Sequence, residues 1–562
     1  MKTIRLVDSM LFKRKIYSEL QAFKDSYGGK RALMIEGARR VGKTTIIKEF
    51  VKNEYRSYIL IDFSYPSKNI LRLFEDFNGL DDFFLELQRL TGTVLHDRNS
   101  AIVFDEVQLY PPARQLIKHL VADGRYDYYE TGSLISIRRN VRDILIPSEE
   151  RSIEMHPMDF EEFLWALGDE MTMPFIRRHF EERKALGGSH DSVMRTFRKY
   201  MLVGGMPQAV SAFIEENSYR AVEEAKRDII SLYENDAEKI GRNAGSILRS
   251  IPSELSRHDK SFKPSDFRKN SSTRDYINAV HELAESKMVL KCTCCTDPSV
   301  AQDLFLDENT FELYLNDTGL LFTMAFSRNK GLEERTYSEI LANRLGINQG
   351  MFFENIVAQS LVAAGYGLAY CKFRSNESER LQEIDFLLSE DGGLKAIEAK
   401  SGYSHRHTSL DRFIRKYGER IRESFVVHGG DLETDDDVTY IPVYMCGLLR
   451  HGPDKSYIRP LDSIGHGNQH GGLRLRILRK ALHPDRLRRI PVRLPRMHGE
   501  GLPRPRRARR AHEREDGGQA YHPEGSGGDG RGVQPRVREE PISAIPLRNV
   551  GISPTRCLSG VP

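Results

Sequence analysis

The sequence predicts an α/β fold: a doubly wound parallel sheet in the N-terminal part, then a helical middle, then a smaller α/β unit ending near residue 450. Three observations carry this. The apolar run ALMI (32–35) leads straight into Gly37-x-x-x-x-Gly42-Lys43-Thr44, where an apolar-periodic helix begins. The apolar run AIVF (101–104) ends in Asp105-Glu106. Further strand-like runs at 55–64 and 126–131 are separated by helical stretches, the pattern of parallel strands joined by crossover helices.

Length and composition bound the rest. The chain has 562 residues, enough for about three to five domains. Hydrophobic residues make up 39% and charged residues 29%, which excludes a membrane-embedded protein and a wholly disordered one. No apolar run approaches the ~20 residues a membrane helix needs, and MKTIRLVDSMLFKRK lacks the apolar core of a secretory signal. Six sparse cysteines (Cys292, Cys294, Cys295, Cys371, Cys446, Cys557) suit a reducing, cytoplasmic setting. Cys292-Thr-Cys294-Cys295 lies in MVLKCTCCTD, which reads as a strand with small side chains rather than a metal site.

In the first strand–loop–helix unit each residue type has a reason. This is the setting of a P-loop NTPase. The loop 37–45 is Gly37, Ala38, Arg39, Arg40, Val41, Gly42, Lys43, Thr44 and Thr45, all candidate ATP contacts. Glycines let backbone N–H groups approach phosphates closely, and the helix N-terminus adds positive potential. Lys43 reaches the β and γ phosphates, and Thr44 ligates Mg²⁺. After the second apolar strand, Asp105 holds Mg²⁺ through water and Glu106 polarises the attacking water. The run 55–64 is read as the strand between these two phosphate-binding elements. The strand at 126–131 leads into Thr131-Gly132-Ser133, where Ser133 is a candidate γ-phosphate sensor, turn chemistry being the alternative. Arg138, Arg139 and Arg151 are equal candidates for a transition-state arginine, with a solvated basic face as the other reading.

These residues, taken in order, resemble a family. GARRVGKTT, VFDEVQ followed by Pro-Pro and a helix, ETGS, MHPMDFEEFL (155–164), YMLVGGMPQAV (200–210), RDIISLYENDAEK (227–239) and LYLNDTGLL (313–321) are similar to the prokaryotic AAA-type ATPases with a C-terminal domain of unknown function. The resemblance covers most of 10–450. It implies a cytosolic protein that binds and hydrolyses ATP with Mg²⁺, and a homo-oligomer in which a neighbour's arginine completes the site. It names no substrate. One departure is Glu150 before Arg151, where such proteins have Gly-Arg; this weakens any role carried over to Arg151.

Residues 190–330 are rich in amphipathic helix. SSTRDYINAVHELAESKMVLKCTCC (271–295) reads as helix, then strand, and with SILRSIPSEL (246–255) before it would suit a winged helix. Arg274 and Lys287 lie on or near the candidate helix, yet no strong basic stripe is present, which favours a protein-interaction or spacer module.

A nuclease-like constellation follows. Glu354 lies on the apolar-periodic helix 350–365, LAYCKF (368–373) reads as a strand, and 382–402 reads as two strands joined by an acidic Gly-Gly turn. Asp385 opens the first of these strands and Glu398-Ala-Lys400 closes the second. Residues two apart on a strand share a face, so Glu398 and Lys400 point together, and a hairpin can bring Asp385 alongside. Two carboxylates and a carbonyl can hold Mg²⁺ while the lysine orients water. The pattern resembles the core of restriction-endonuclease-like nucleases, with Ile384 where proline is frequent; DNA is the partner this implies. The bland alternative is a surface salt-bridge set at about 0–1 kcal/mol per pair.

Beyond 450 the composition changes. Residues 451–562 hold 22 basic and 11 acidic side chains, a net +11, whereas 1–450 carry 62 and 69, a net −7. Of the 22, 20 are Arg; the segment has 13 of the 24 prolines and only two aromatics, Tyr457 and Tyr521. It cannot bury enough apolar surface to order itself, so disorder is expected. It reads either as an Arg/Gly/Pro-rich arm for nucleic acid or as GC-rich DNA translated out of frame. The expected domains are 1–185 (AAA-like ATPase), 186–335 (helical or winged-helix), 336–450 (nuclease-like) and the tail 451–562. The leading reading of function is an ATP-dependent switch or motor. The alternatives are an ATP-binding regulatory module with little hydrolysis and a nucleotide-regulated DNA nuclease.

Overall fold

Five short strands build the first sheet: β1 (Ala32–Glu36), β2 (Ser57–Asp62), β3 (Ser100–Asp105), β4 (Asp127–Thr131) and β5 (Glu150–Glu154). The structure is a computed structural model that describes residues 11–449 except 133–148, 242, 269–271, 273, 327–336, 340–348, 376–377, 391, 403–405 and 436. All neighbouring strands of this sheet are parallel, in the order β2-β3-β4-β1-β5. Every residue of β1, β3 and β4 is buried, as a parallel sheet covered on both faces requires. Leu33, Ile35, Ala101 and Val103 enter one core, and Ala32, Met34, Ile102 and Phe104 enter the other. The helices α1 (Ile16–Tyr27), α2 (Lys43–Glu54), α3 (Lys68–Glu75), α4 (Leu80–Thr91) and α5 (Pro111–Asp123) complete this layer. The doubly wound expectation holds. The run read as lying between the two phosphate-binding strands does so along the chain but forms the sheet edge as β2, and β4 is inserted between β1 and β3. Parallel crossovers skip strands freely, so chain order does not fix spatial order.

The middle is helical: α6 (Phe160–Ala166), α7 (Thr172–Glu181), α8 (His190–Val203), α9 (Pro207–Glu216), α10 (Tyr219–Ile240), α11 (Ala244–Leu255) and α12 (Arg274–Glu285). Local signals set their ends. Asp159 and Glu162 form a reciprocal capping box on α6, and Pro207 opens α9, where its missing N–H costs nothing. Next come β6 (Val289–Cys295), β7 (Leu306–Leu315) and α13 (Thr318–Ala325). The helix-then-strand order expected for 271–295 is present. β6 pairs with β7 on one edge and with the next strand on the other, so this hairpin is not a free wing. The cysteine cluster lies in β6 as expected, and the five described cysteines are buried and free.

The last described part contains α14 (Gln349–Ala363), β8 (Ala369–Ser375), β9 (Ser378–Ile384), β10 (Phe386–Glu390), β11 (Gly393–Ala399), α15 (Thr408–Tyr417), β12 (Ile421–His428), β13 (Glu433–Asp435) and β14 (Val438–Pro442). One sheet has the order β7-β6-β8-β9 and the other β10-β11-β12-β14-β13. Asp385 does not open a strand, contrary to the sequence reading. It is the junction where the chain changes sheets: Ile384 pairs with Cys371 on β8, and Phe386 pairs with Ile397 on β11. The β10–β11 hairpin across the acidic Gly-Gly turn is as expected. Among the described residues, no helix is long and apolar enough to cross a membrane.

Candidate functional site

The loop between β1 and α2 takes its shape from three left-handed residues, Gly37 (φ +149°), Arg40 (φ +69°) and Gly42 (φ +103°). A Cβ on Gly37 would stand 2.3 Å from the Met155 carbonyl oxygen, so only glycine fits there. That carbonyl is held close because Met155 N–H donates to the Glu36 carbonyl at 2.7 Å, prolonging β5 beside the loop. Lys43 is 7% exposed. Its Nζ donates to the carbonyls of Gly37 and Ala38 at 2.9 Å each. Burial pulls its pKa down, opposed by the nearby Glu106 and Asp105 carboxylates. Thr44 Oγ1 donates to Asp105 Oδ1 at 2.9 Å, so the two groups expected to hold Mg²⁺ meet across 61 residues of chain. Asp105 also accepts from the Thr131 hydroxyl, and Thr131 Oγ1 accepts from Glu106 N–H at 3.2 Å. Glu106 itself is left-handed (φ +53°), and its carboxylate accepts from the Gln108 amide. Strain of this kind is stored where a side chain must be aimed.

The rest of the loop is tied to the middle helices. Arg39 donates to both carboxylate oxygens of Asp236 on α10, at 3.1 and 3.0 Å, and Tyr233 OH donates to the Arg39 carbonyl at 3.4 Å. Arg40 and Thr45 are exposed. Val41 is buried, and its carbonyl accepts from Arg14 Nη1 at 2.8 Å. Arg14 also donates to the His156 carbonyl at 2.7 Å and pairs with Glu162 at 3.1 Å. Behind the loop, the motifs VGGMP and NDTG meet. Gly205 N–H donates to Asp317 Oδ2 at 2.6 Å, and Asp317 Oδ1 caps α13 through Leu320 N–H at 2.9 Å. A Cβ on Gly205 would fall 2.0 Å from the Met158 carbonyl oxygen. These glycines serve close backbone approach.

The C-terminal candidates also converge. Asp385 Oδ2 accepts from Ala399 N–H at 2.8 Å, beside Glu398. Glu398 Oε1 pairs with Lys400 Nζ at 2.5 Å, and its Oε2 accepts from Leu410 N–H at 3.3 Å. Glu354 Oε2 accepts from Lys260 Nζ at 2.6 Å, and the same ammonium is 3.6 Å from Asp385 Oδ1. Burial raises the Glu398 carboxyl, offset by Lys400, and pushes Glu354 up to about 7. Among the described residues, no group of three or more His, Cys, Asp or Glu side chains is arranged to hold a metal ion as it stands.

Residues 29–164 match the family described as an AAA domain. This segment is a P-loop ATPase domain. Residues 194–332 and 349–446 match two families each described as a domain of unknown function (DUF8612 and DUF4143). A Walker-type ATPase of Pyrococcus abyssi aligns over 56% of this chain and 96% of its own, at 15% identity and TM-score 0.36. The ORC2 protein of Aeropyrum pernix, solved in ADPNP–ADP complexes, aligns over 59% and 95%, at 12% identity and TM-score 0.33. Cdc6p from Pyrobaculum aerophilum aligns over 58% and 93%, at 12% identity and TM-score 0.22. No curated protein matches the chain.

Within the ATPase domain, Ser133, Arg138 and Arg139 lie outside the described residues. Arg151 pairs in register with Leu33 on β1, and its guanidinium stacks 4.1 Å over the Tyr27 ring. Two residues escaped the sequence reading. Thr131 belongs to the Thr131-Gly132-Ser133 run read as a sensor site, and its contact with Asp105 is what the sequence did not assign. Its signal is register: Phe104 pairs with Glu130, so the next residue on each strand is Asp105 and Thr131. Arg14 has no local signal, because its partners lie 27 and 142 residues away.

Proposed function

We propose that this chain is a Mg²⁺-dependent ATPase acting as a nucleotide-driven switch or motor. The observation that carries the reading is the Thr44–Asp105 hydrogen bond of 2.9 Å, with Lys43 buried in the loop beside it. The backbone N–H groups of 37–45 cradle the phosphates, and Lys43 exchanges its two carbonyl partners for β and γ oxygens. Thr44 and Asp105 would hold the divalent cation, which when bound supplies charge neutralisation at the phosphates. Glu106 orients a water and takes its proton as that water bonds to the γ phosphorus and the bond to ADP breaks. Thr131 fixes the Asp105 carboxylate. The Arg39–Asp236 contact supports the switch reading, because it ties the loop to a 22-residue helix of the middle region. The domains are taken as 1–185, 186–335 and 336–450. Cytoplasmic location and a homo-oligomer supplying an arginine complete the proposal.

The test is phosphate release from ATP with and without Mg²⁺. Wild type turns over, and Lys43→Ala abolishes it. Tight ATP binding with no release in wild type would favour a regulatory module instead. A second reading, a DNA-processing nuclease, is favoured by the convergence of Asp385, Glu398 and Lys400. It predicts Mg²⁺- or Mn²⁺-dependent cleavage of single- or double-stranded DNA. Equal behaviour of wild type, Asp385→Ala and Lys400→Ala removes it.

A further inference from the structure

Lys260 is foreign to the elements it serves. It lies between α11 and α12, in the segment that matches the middle family, yet its side chain is 8% exposed and its ammonium is set among carboxylates of the C-terminal part. Nζ lies 2.6 Å from Glu354 on α14, 3.6 Å from Asp385 at the sheet junction and 3.7 Å from Glu383 on β9. A fourth carboxylate, Glu312 on β7, is fully buried, with Lys260, Glu383 and Glu354 as its charged neighbours. Glu312 Oε2 accepts from Tyr314 OH at 2.8 Å, while Oε1 has no hydrogen-bond partner. A buried carboxylate oxygen left without a donor is costly, and here it sits in a cluster that already has too few cations.

The charges do not balance. Four carboxylates face Lys260 and one further ammonium, Lys372, 3.5 Å from Glu383. Oxygen-only donors from three elements and the β9–β10 junction are the donor set a hard divalent ion takes.

Lys260 is also pinned from both sides. Lys372 on β8 donates to Asp259 at 3.0 Å and to Ser261 Oγ at 2.6 Å. Phe262 N–H donates to the Phe311 carbonyl on β7 at 2.9 Å, and the two rings stack at 5.1 Å. The segment is held as a plug, with the lysine as its tip.

We propose that Glu312, Glu354, Glu383 and Asp385 form a divalent-cation site that the chain keeps closed with its own cation, the Lys260 ammonium. The arrangement described is the closed state, in which the carboxylates are spaced around an ammonium rather than gathered on an ion. Release of segment 259–262 admits the metal. The inference deepens the nuclease reading above, and rests on it only for what the metal would go on to do.

The test is Mn²⁺ titration of the full chain without nucleotide, followed by the loss of the free-ion paramagnetic resonance signal. Lys260→Gln is expected to bind one more Mn²⁺ per chain than wild type, at least tenfold tighter than any shared site. Lys260→Gln/Asp385→Asn is expected to lose that ion, and Lys260→Arg to match wild type. Equal Mn²⁺ stoichiometry in wild type and Lys260→Gln overturns the proposal, as does an extra ion indifferent to Asp385→Asn. ATP turnover at the wild-type rate checks that Lys260→Gln is folded. If it is not, Phe262→Ala frees the plug by another route, and the same gain or its absence decides. An added ion without DNA cleavage keeps this inference and discards the nuclease reading.

Discussion

Lys43, Glu106 and Gly205 mark three kinds of demand on single residues. Lys43 is buried in the loop it serves, so Lys43→Ala removes both the phosphate contact and the donor to two loop carbonyls. ATP turnover should fall by about 10²-fold or more. Glu106→Gln keeps the volume and loses the base, so ATP binding should persist while turnover falls by about 10²–10⁴-fold. Gly205 touches no nucleotide group, but its missing Cβ admits the Met158 carbonyl. Gly205→Ala should cost about 1–3 kcal/mol, read as a lowered thermal midpoint. At this scale the phosphate loop was fully legible, because its chemistry is contiguous in sequence. Thr131 was within reach once the register of β3 and β4 is known. Arg14 and Lys260 were not, because each meets its partners only after long stretches of chain have folded back.

At the scale of elements, the strands at 32–35, 101–104 and 126–131 formed where the sequence placed them, and the run at 55–64 became an edge. Their spatial order was not readable, since parallel strands are joined through helices and any strand can be skipped. The Asp385 junction was hidden for a related reason: Ile384 and residues 386–388 read as one strand around Asp385, yet they belong to different sheets. The end of β1 carries a testable charge. Burial pushes Glu36 up to about 7, with Lys287 opposing and Glu154 and Glu150 adding to the rise. A carboxyl raised in the folded state binds more protons folded than unfolded. Its contribution therefore declines as pH climbs from the ordinary carboxylate range through 7, by about 3 kcal/mol in all. Glu36→Gln should narrow the gap between thermal midpoints at pH 5 and pH 8, the wild type losing more stability over that range.

For the whole molecule, the first 450 residues carry −7 and the basic excess lies in 451–562. Bulk charge thus gives residues 1–450 no attraction for nucleic acid, and any DNA chemistry there must rest on the Asp385, Glu398 and Lys400 cluster. The three matched segments fall within one compact unit, with the loop tied to α10 through Arg39 and Asp236. Asp236→Ala should leave ATP affinity within about fivefold, because this partly exposed pair is worth at most about 1 kcal/mol. It should also weaken any change in turnover that DNA or a protein partner brings about. The central claim is ATP hydrolysis at the Thr44–Asp105 pair. Its most direct test is Mg²⁺-dependent phosphate release by the full chain, measured for wild type and Lys43→Ala side by side. Wild-type turnover should need Mg²⁺ and disappear in Lys43→Ala; turnover unchanged in Lys43→Ala would show that hydrolysis does not occur at this site.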